Sequence, residues 1–176
     1  MQDKIQKYDI ATQKLINYAS NMSAAVVQST PYDIAETVKR FRDAFRNPNI
    51  RRHILNNDFE ELYSSHALFS AGFCVVASYV WANIFVSSDG SKQWAFRQFR
   101  NLRNYGTHAW LEHVRSGERL DLTFDQFVDE HGEYIDIPYN LGETVRGDFE
   151  FPDAFYFADS IGLEYGEIVR KNSLMR

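Results

Sequence analysis

Hydrophobic positions in the first third of the chain recur at helical spacing. Ile5, Tyr8, Ile10, Leu15, Tyr18 and Met22 form an approximate apolar stripe over residues 3–27, with polar residues between them. Thr30-Pro31 then suits a new start, Thr30 as N-cap and Pro31 at the first helical position. Ile34, Val38, Phe41 and Phe45 predict the helix that follows, and Pro48 stops it. Residues 49–63 hold another short helix or two. Amphipathic helices of this kind normally cover a core, so residues 1–69 read as a helical scaffold.

The pattern changes at Ser70-Ala71-Gly72, a loop signal. Phe73 to Phe85 is apolar almost all round, which predicts a buried central helix by its length, although its β-branched residues leave a strand open. The longest apolar stretch, Ala67 to Val86, is interrupted by Ser70, Ser78 and Asn83. It lacks the roughly 20 continuous apolar residues of a membrane span. Ser87 to Ser91 is a turn. Lys92 to Arg103, where Arg97, Arg100 and Arg103 alternate with Trp94, Phe96 and Phe99, suits a surface helix or a twisted strand.

From Thr107 the period becomes two. His108, Trp110, Glu112 and Val114 alternate with Ala109, Leu111 and His113, a turn follows at Arg115-Ser116-Gly117-Glu118, and Arg119 to Thr123 resumes extended character. This is a β-hairpin signal. Thr123-Phe124-Asp125-Gln126 fits a capping box that starts a short helix. Residues 149–159, aromatic and acidic, suit a further strand, and Ser160 to Ser173 a closing helix.

Composition narrows the class. A chain of 176 residues that is 44% hydrophobic, with 14 Phe, 10 Tyr and 3 Trp, suits one domain with a sizeable core and argues against disorder. The expected fold is α+β over residues 1–176, a helical N-terminal part packed with a small antiparallel sheet. A net charge of -5 disfavours non-specific binding to nucleic acid or anionic membranes. The single cysteine forms no intrachain disulfide and suits a reducing compartment. Met1 to Lys7 carries no apolar run of a secretory signal, so a cytoplasmic setting is expected. No phosphate loop, calcium loop or metal-ligand spacing is present, and no cofactor or metal is expected.

The candidate chemistry centres on Cys74. The thiolate, not the thiol, is the nucleophile, and a helix N-terminus favours it through free N–H groups and the helix dipole. Cys74 stands at such a predicted start, and its backbone N–H would point toward an oxyanion formed there. Alone this is weak, because free cysteines are common core residues. A nucleophile also needs a base, and the base needs a third group to fix its tautomer.

The hairpin supplies both types of residue. Thr107-His108-Ala109-Trp110-Leu111-Glu112, then Gly117, then Leu120-Asp121-Leu122-Thr123 resembles the His and Asp strands of transglutaminase-like enzymes. Arylamine N-acetyltransferases share the same Cys, His, Asp order. The resemblance is nearest to the small bacterial YunG-like proteins, with a Gly-x-Cys helix start, a His-x-Trp strand and Asp121-Leu122-Thr123-Phe124-Asp125-Gln126-Phe127. It covers residues 70–127, leaving 128–176 as a C-terminal strand and helix.

What the resemblance implies is a papain-like/transglutaminase-like core in which Cys74 is the nucleophile, His108 the general base and acid, and Asp121 its orienter. The reaction would be acyl transfer or hydrolysis on a protein, peptide or small amide or thioester substrate, with peptidase, amidase, deamidase and transglutaminase all open. Gly72, Phe73 and Trp110 are candidates to line the cleft. Papain-like proteases carry a Gln shortly before the Cys; Leu68 stands there in this chain, which leaves Ser70 and His66 as candidate oxyanion donors.

Simple strand geometry raises a rival acid. A turn centred on Ser116-Gly117 sets His108 opposite Asp125, and Asp121 lies about 13 Å away along the strand. Asp121 serves only if the turn begins earlier or a bulge shifts the pairing. Two other functions compete with catalysis: a structural or interaction protein that keeps the fold, and a binding module for an acidic partner through residues 92–103. His113 points away from His108 and reads as structural or solvated, and Glu112 as a hairpin charge.

Overall fold

Two side-chain caps punctuate the helical third of the chain. In the computed structural model, which describes residues 2–27, 32–64, 68–87, 89–102, 106–127, 134–145 and 151–163, Asp33 accepts from the Glu36 N–H at 2.7 Å and starts helix α3 (Ile34–Arg46). Asn47 closes that helix and opens the next, α4 (Pro48–Leu55), by accepting from the Asn49 N–H at 2.9 Å. Pro48 is thus the first residue of α4 rather than a simple stop. The start expected at Thr30-Pro31 lies outside the described residues.

Helix α1 (Gln2–Ser20) precedes these and buries Tyr8, Ala11, Leu15 and Ala19, spaced three and four apart; Met22 follows on the same side. Ile10 and Tyr18, expected on that stripe, face outward instead, at 49% and 45% exposure. In α3 the expected face is the buried one: Ile34, Val38, Phe41 and Phe45 all enter the core. Short helices α2 (Ala24–Val27) and α5 (Phe59–Ser64) complete this part.

The central helix α6 (Cys74–Ile84) is buried almost throughout, as its unbroken apolar sequence requires. It packs on strands β1 (Trp94–Leu102) and β2 (Gly106–His113), and on helix α7 (Pro152–Ser160). Strand β3 (Arg119–Leu120) and strand β4 (Glu143–Thr144) flank the pair, giving an antiparallel sheet of order β3-β2-β1-β4. The architecture is α+β. Of the segment from Lys92, Trp94–Leu102 is a strand, not a surface helix.

The C-terminal part departs from expectation. Residues 149–159 were expected as a strand, but Pro152–Ser160 is helical, with Pro152 in its first turn and Ala154, Phe157 and Ala158 buried one turn apart. The helix expected from Ser160 onward is absent over residues 161–163, and the rest of it lies outside the described residues. Phe157 joins Phe41, Phe45 and Phe73 in one aromatic cluster, with ring centroids 4.6–6.0 Å apart in the contacting pairs. The hydrophobic core runs continuously from Tyr8 to Leu163. No helix among the described residues is long and apolar enough to cross a membrane.

Candidate active site

Cys74 sits at the mouth of α6 because the preceding loop turns sharply there. Gly72 takes φ +87°, a left-handed conformation that favours glycine, and a Cβ at that position would lie 2.4 Å from Leu55. The loop is held by Arg51, whose guanidinium Nη1 donates to the carbonyls of Phe45 and Phe69; burial lowers that arginine to about 10. Among the described residues no side chain caps the first turn of α6. A helix start of this kind favours an anion, and Cys74, its first residue, is buried.

His108 comes from β2, opposite Phe99 of β1. Its Nε2 lies 2.6 Å from Asp121 Oδ2, and the Cys74 thiol is a neighbour that favours the charged ring. Asp121 occupies Nε2, and Nδ1 is the other nitrogen of the ring. Burial pulls the imidazole down, but Asp121 and Cys74 outweigh it and raise His108 to about 9.

The register explains why Asp121, and not Asp125, meets the histidine. The β2–β3 hairpin closes between His113 and Glu118, where the His113 N–H donates to the Glu118 carbonyl at 2.7 Å. Leu111 pairs with Leu120 and Glu112 with Arg119. Extended by the same count, this register sets Trp110 opposite Asp121 and His108 opposite Thr123, so Asp121 becomes a diagonal neighbour of His108. The turn begins earlier than one centred on Ser116-Gly117.

Asp125 is spent elsewhere. Both of its carboxylate oxygens accept from Arg42 at 2.7 Å, and the two side chains are wholly buried. Arg42 also donates to Thr12 Oγ1 and the Leu122 carbonyl, and lies 3.9 Å over the Tyr8 ring. Asp125 is thus the anchor of the 122–126 turn on α1 and α3, not an alternative acid for His108.

Asp121 is satisfied on every side. Besides His108 it accepts from the Tyr139 hydroxyl at 2.8 Å, the Thr123 N–H at 2.9 Å and Thr123 Oγ1 at 3.3 Å. The Tyr139 hydroxyl is pushed up by burial and by the neighbouring carboxylate, so it stays a donor. Tyr139 is fixed in turn by Trp110, edge-on at 5.2 Å, and by Arg119, 3.8 Å over its ring.

The remaining expected residues divide. Trp110 is buried, near-parallel to His108 at 5.9 Å, and Gly142 packs so closely on it that a Cβ there would lie 1.9 Å from its ring. It is covered rather than lining an open cleft. Phe73 belongs to the core cluster and not to a cleft wall. Ser70 is buried, and among the described residues its Oγ has no hydrogen-bond partner. His66 lies outside the described residues. His113 is buried edge-on to Trp94, with Ser116 Oγ 2.9 Å from its Nδ1.

Of the basic segment, Arg97 is committed to β4, donating to Thr144 Oγ1 and the Gly142 carbonyl at 2.7 Å each, with Glu112 3.8 Å away. Arg103 lies outside the described residues. Arg100 borders an open cavity of about 430 Å³ shared with Phe99, Leu141 and Val145. Phe99 packs 5.8 Å from the His108 ring.

Three residues of the site were not anticipated. Gln126 brings its side-chain Nε2 to 2.7 Å from His108 Nδ1, and Phe127 stands edge-on to the same ring at 4.8 Å. Gln126 falls within the Asp-Leu-Thr-x-x-Gln-Phe motif, so its signal was present, but it suggested a helix cap. Tyr139 falls beyond the resembling segment and had no signal. Among the described residues no three His, Cys, Asp or Glu side chains gather to hold a metal. No family model, curated protein or solved structure matches the chain.

Proposed function

We propose that this chain is a cysteine-dependent acyl-transfer enzyme of papain-like/transglutaminase-like type, akin to the YunG-like proteins. The observation that carries the reading is the buried His108 ring, held by Asp121 on Nε2, with Cys74 as a neighbour that favours its charged form at the start of a helix. A core cysteine kept only for packing needs neither an uncapped helix start nor an imidazole oriented by a carboxylate.

The chemistry follows from that order. Cys74 gives its proton to His108 Nδ1, and the thiolate attacks an amide or thioester carbonyl. Backbone N–H groups of the first turn of α6 stabilise the oxyanion. His108 then protonates the leaving group, and water or an amine resolves the thioester. Asp121 keeps the imidazole in the tautomer that leaves Nδ1 free to accept, and stabilises the imidazolium. We place this activity in a reducing, cytoplasmic setting, on a protein, peptide or small amide or thioester substrate.

The test is a panel of amide and thioester probes run against wild type and Cys74→Ala, together with iodoacetamide labelling of the native protein. Fast, selective labelling of Cys74 with a profile well below the free-thiol pKa of about 8.5, and turnover lost in Cys74→Ala, is the expected result. Labelling that waits for unfolding would favour a structural or interaction protein instead.

A further inference from the structure

Nδ1 of His108 has two claimants. One is Cys74, which needs it as proton acceptor; the other is the Gln126 carboxamide nitrogen, 2.7 Å away. The same Gln126 Nε2 lies 3.3 Å from Thr123 Oγ1, and Thr123 Oγ1 in turn lies 3.3 Å from Asp121 Oδ1. Asp121 as a carboxylate only accepts, so the Thr123 hydroxyl donates to it and its lone pairs accept from Gln126. This relay fixes which end of the carboxamide faces the histidine: the NH2 end. An NH2 group donates only to an unprotonated Nδ1, which means a neutral imidazole. Turning the carboxamide over would offer Oε1 to a protonated Nδ1 but would break the Gln126–Thr123–Asp121 relay.

We propose, on the strength of the acyl-transfer reading, that Gln126 is a positioning residue that occupies the acid–base nitrogen of His108 and opposes its protonation until a substrate displaces the carboxamide. The groups around the ring make this a contest. Asp121 and Cys74 favour the imidazolium, while Tyr139 and Arg119 act on it only through Asp121. Phe99 from β1, Trp110 on β2 and Phe127 bring no charge. Gln126 is the neighbour whose hydrogen bond favours the neutral ring. It is also placed to leave, since it is partly exposed whereas His108 is wholly buried. With the carboxamide gone, the Cys74 proton passes to Nδ1, leaving thiolate and imidazolium with no change in net charge. The leaving group of the substrate takes the vacated place, where His108 Nδ1–H protonates it.

Gln126→Leu removes the donor and keeps the bulk; Gln126→Ala removes both. Side-chain 15N signals of His108 in the full-length protein, titrated by NMR, report ring charge without any substrate. Iodoacetamide rates at pH 7 report the thiolate. In Gln126→Leu the His108 signals should move toward the imidazolium and the Cys74 rate should rise about fivefold, the worth of one neutral hydrogen bond; Gln126→Ala should do at least as much. Unchanged His108 signals in Gln126→Leu would overturn the proposal. So would a rate increase confined to Gln126→Ala, which would mean shielding alone. Because the NMR readout needs no turnover, a wild type that processes no acyl substrate leaves it intact while sinking the acyl-transfer reading.

Discussion

Asp121 and Asp125 stand four residues apart, both buried, both paired with a base, yet they do opposite work. Asp125 meets a guanidinium in a closed, two-pronged pair that also ties Thr12 and the Leu122 carbonyl to Arg42. The guanidinium keeps its proton: burial opposes the Arg42 charge, and Asp125 more than restores it. Asp121 meets an imidazole, a base that titrates, whose second nitrogen meets Gln126 and whose charge the Cys74 thiol favours. A buried ion pair fixes a turn when its base is permanently charged. It serves chemistry when the base titrates and one side is left for a reactant.

The largest separation between the two should come from amide substitution. In Asp121→Asn the shape persists, but the side chain no longer selects the His108 tautomer; in comparable triads that change costs roughly 10^4-fold in rate. Acyl transfer should fall on that scale while urea denaturation shifts by only about 1–3 kcal/mol. A variant that keeps its rate would remove Asp121 from the mechanism.

Asp125→Leu should reverse the balance. It leaves Arg42 charged and buried with no carboxylate, a change worth about 3–5 kcal/mol of stability. Denaturation reads the loss directly. In whatever fraction stays folded, the pH profile of Cys74 labelling should keep its wild-type shape. A stability change below about 1 kcal/mol would mean that the turn is anchored by something else.

Acidity offers a third comparison. His108 is raised from 6.5 to about 9 in the folded protein, so its contribution is complete below about pH 6.5 and is lost as pH rises through about 9. A shift of roughly 2.5 units corresponds to about 3 kcal/mol at most. Urea midpoints measured from pH 6 to 10 should decline across that window, and acyl transfer should decline with them as His108 loses the proton it gives to the leaving group. Asp121→Asn should flatten the decline. The Arg42–Asp125 pair should contribute nothing to it, because the Arg42 guanidinium keeps its charge throughout.

How much of this was readable beforehand depended on which interaction fixed each residue. The α3 face was legible because Ile34, Val38, Phe41 and Phe45 obey a local period. The pairing of His108 with Asp121 was reached through family resemblance, while strand counting pointed to Asp125. Counting failed because it assumed a turn centred on Ser116-Gly117, and the hairpin instead closes between His113 and Glu118. The α7 segment misled because its aromatic residues suit strand and helix alike; Pro152 and the spacing of Ala154, Phe157 and Ala158 were the discriminating signs. The Thr123–Gln126 spacing suggests half of a capping box, whereas the Gln126 side chain goes to Thr123 Oγ1 and His108. Tyr139 was out of reach altogether, since only the folded chain brings it to Asp121.

Tyr139 supplies the smallest and most selective way to sharpen the contrast. Tyr139→Phe keeps the ring under Arg119 and against Trp110 and deletes only the hydroxyl bonded to Asp121 Oδ2. The expected stability cost is about 1 kcal/mol. Its effect on His108 has a definite sign. The Tyr139 O–H shares the oxygen that accepts from Nε2, so without it the carboxylate is less well neutralised and attracts the imidazolium more strongly. His108 should titrate slightly higher by NMR in Tyr139→Phe, while Asp125→Leu should leave that titration in place. If His108 titrates lower instead, Tyr139 holds Asp121 in position rather than competing for its charge, and the two buried acids differ less in their wiring than their partners suggest.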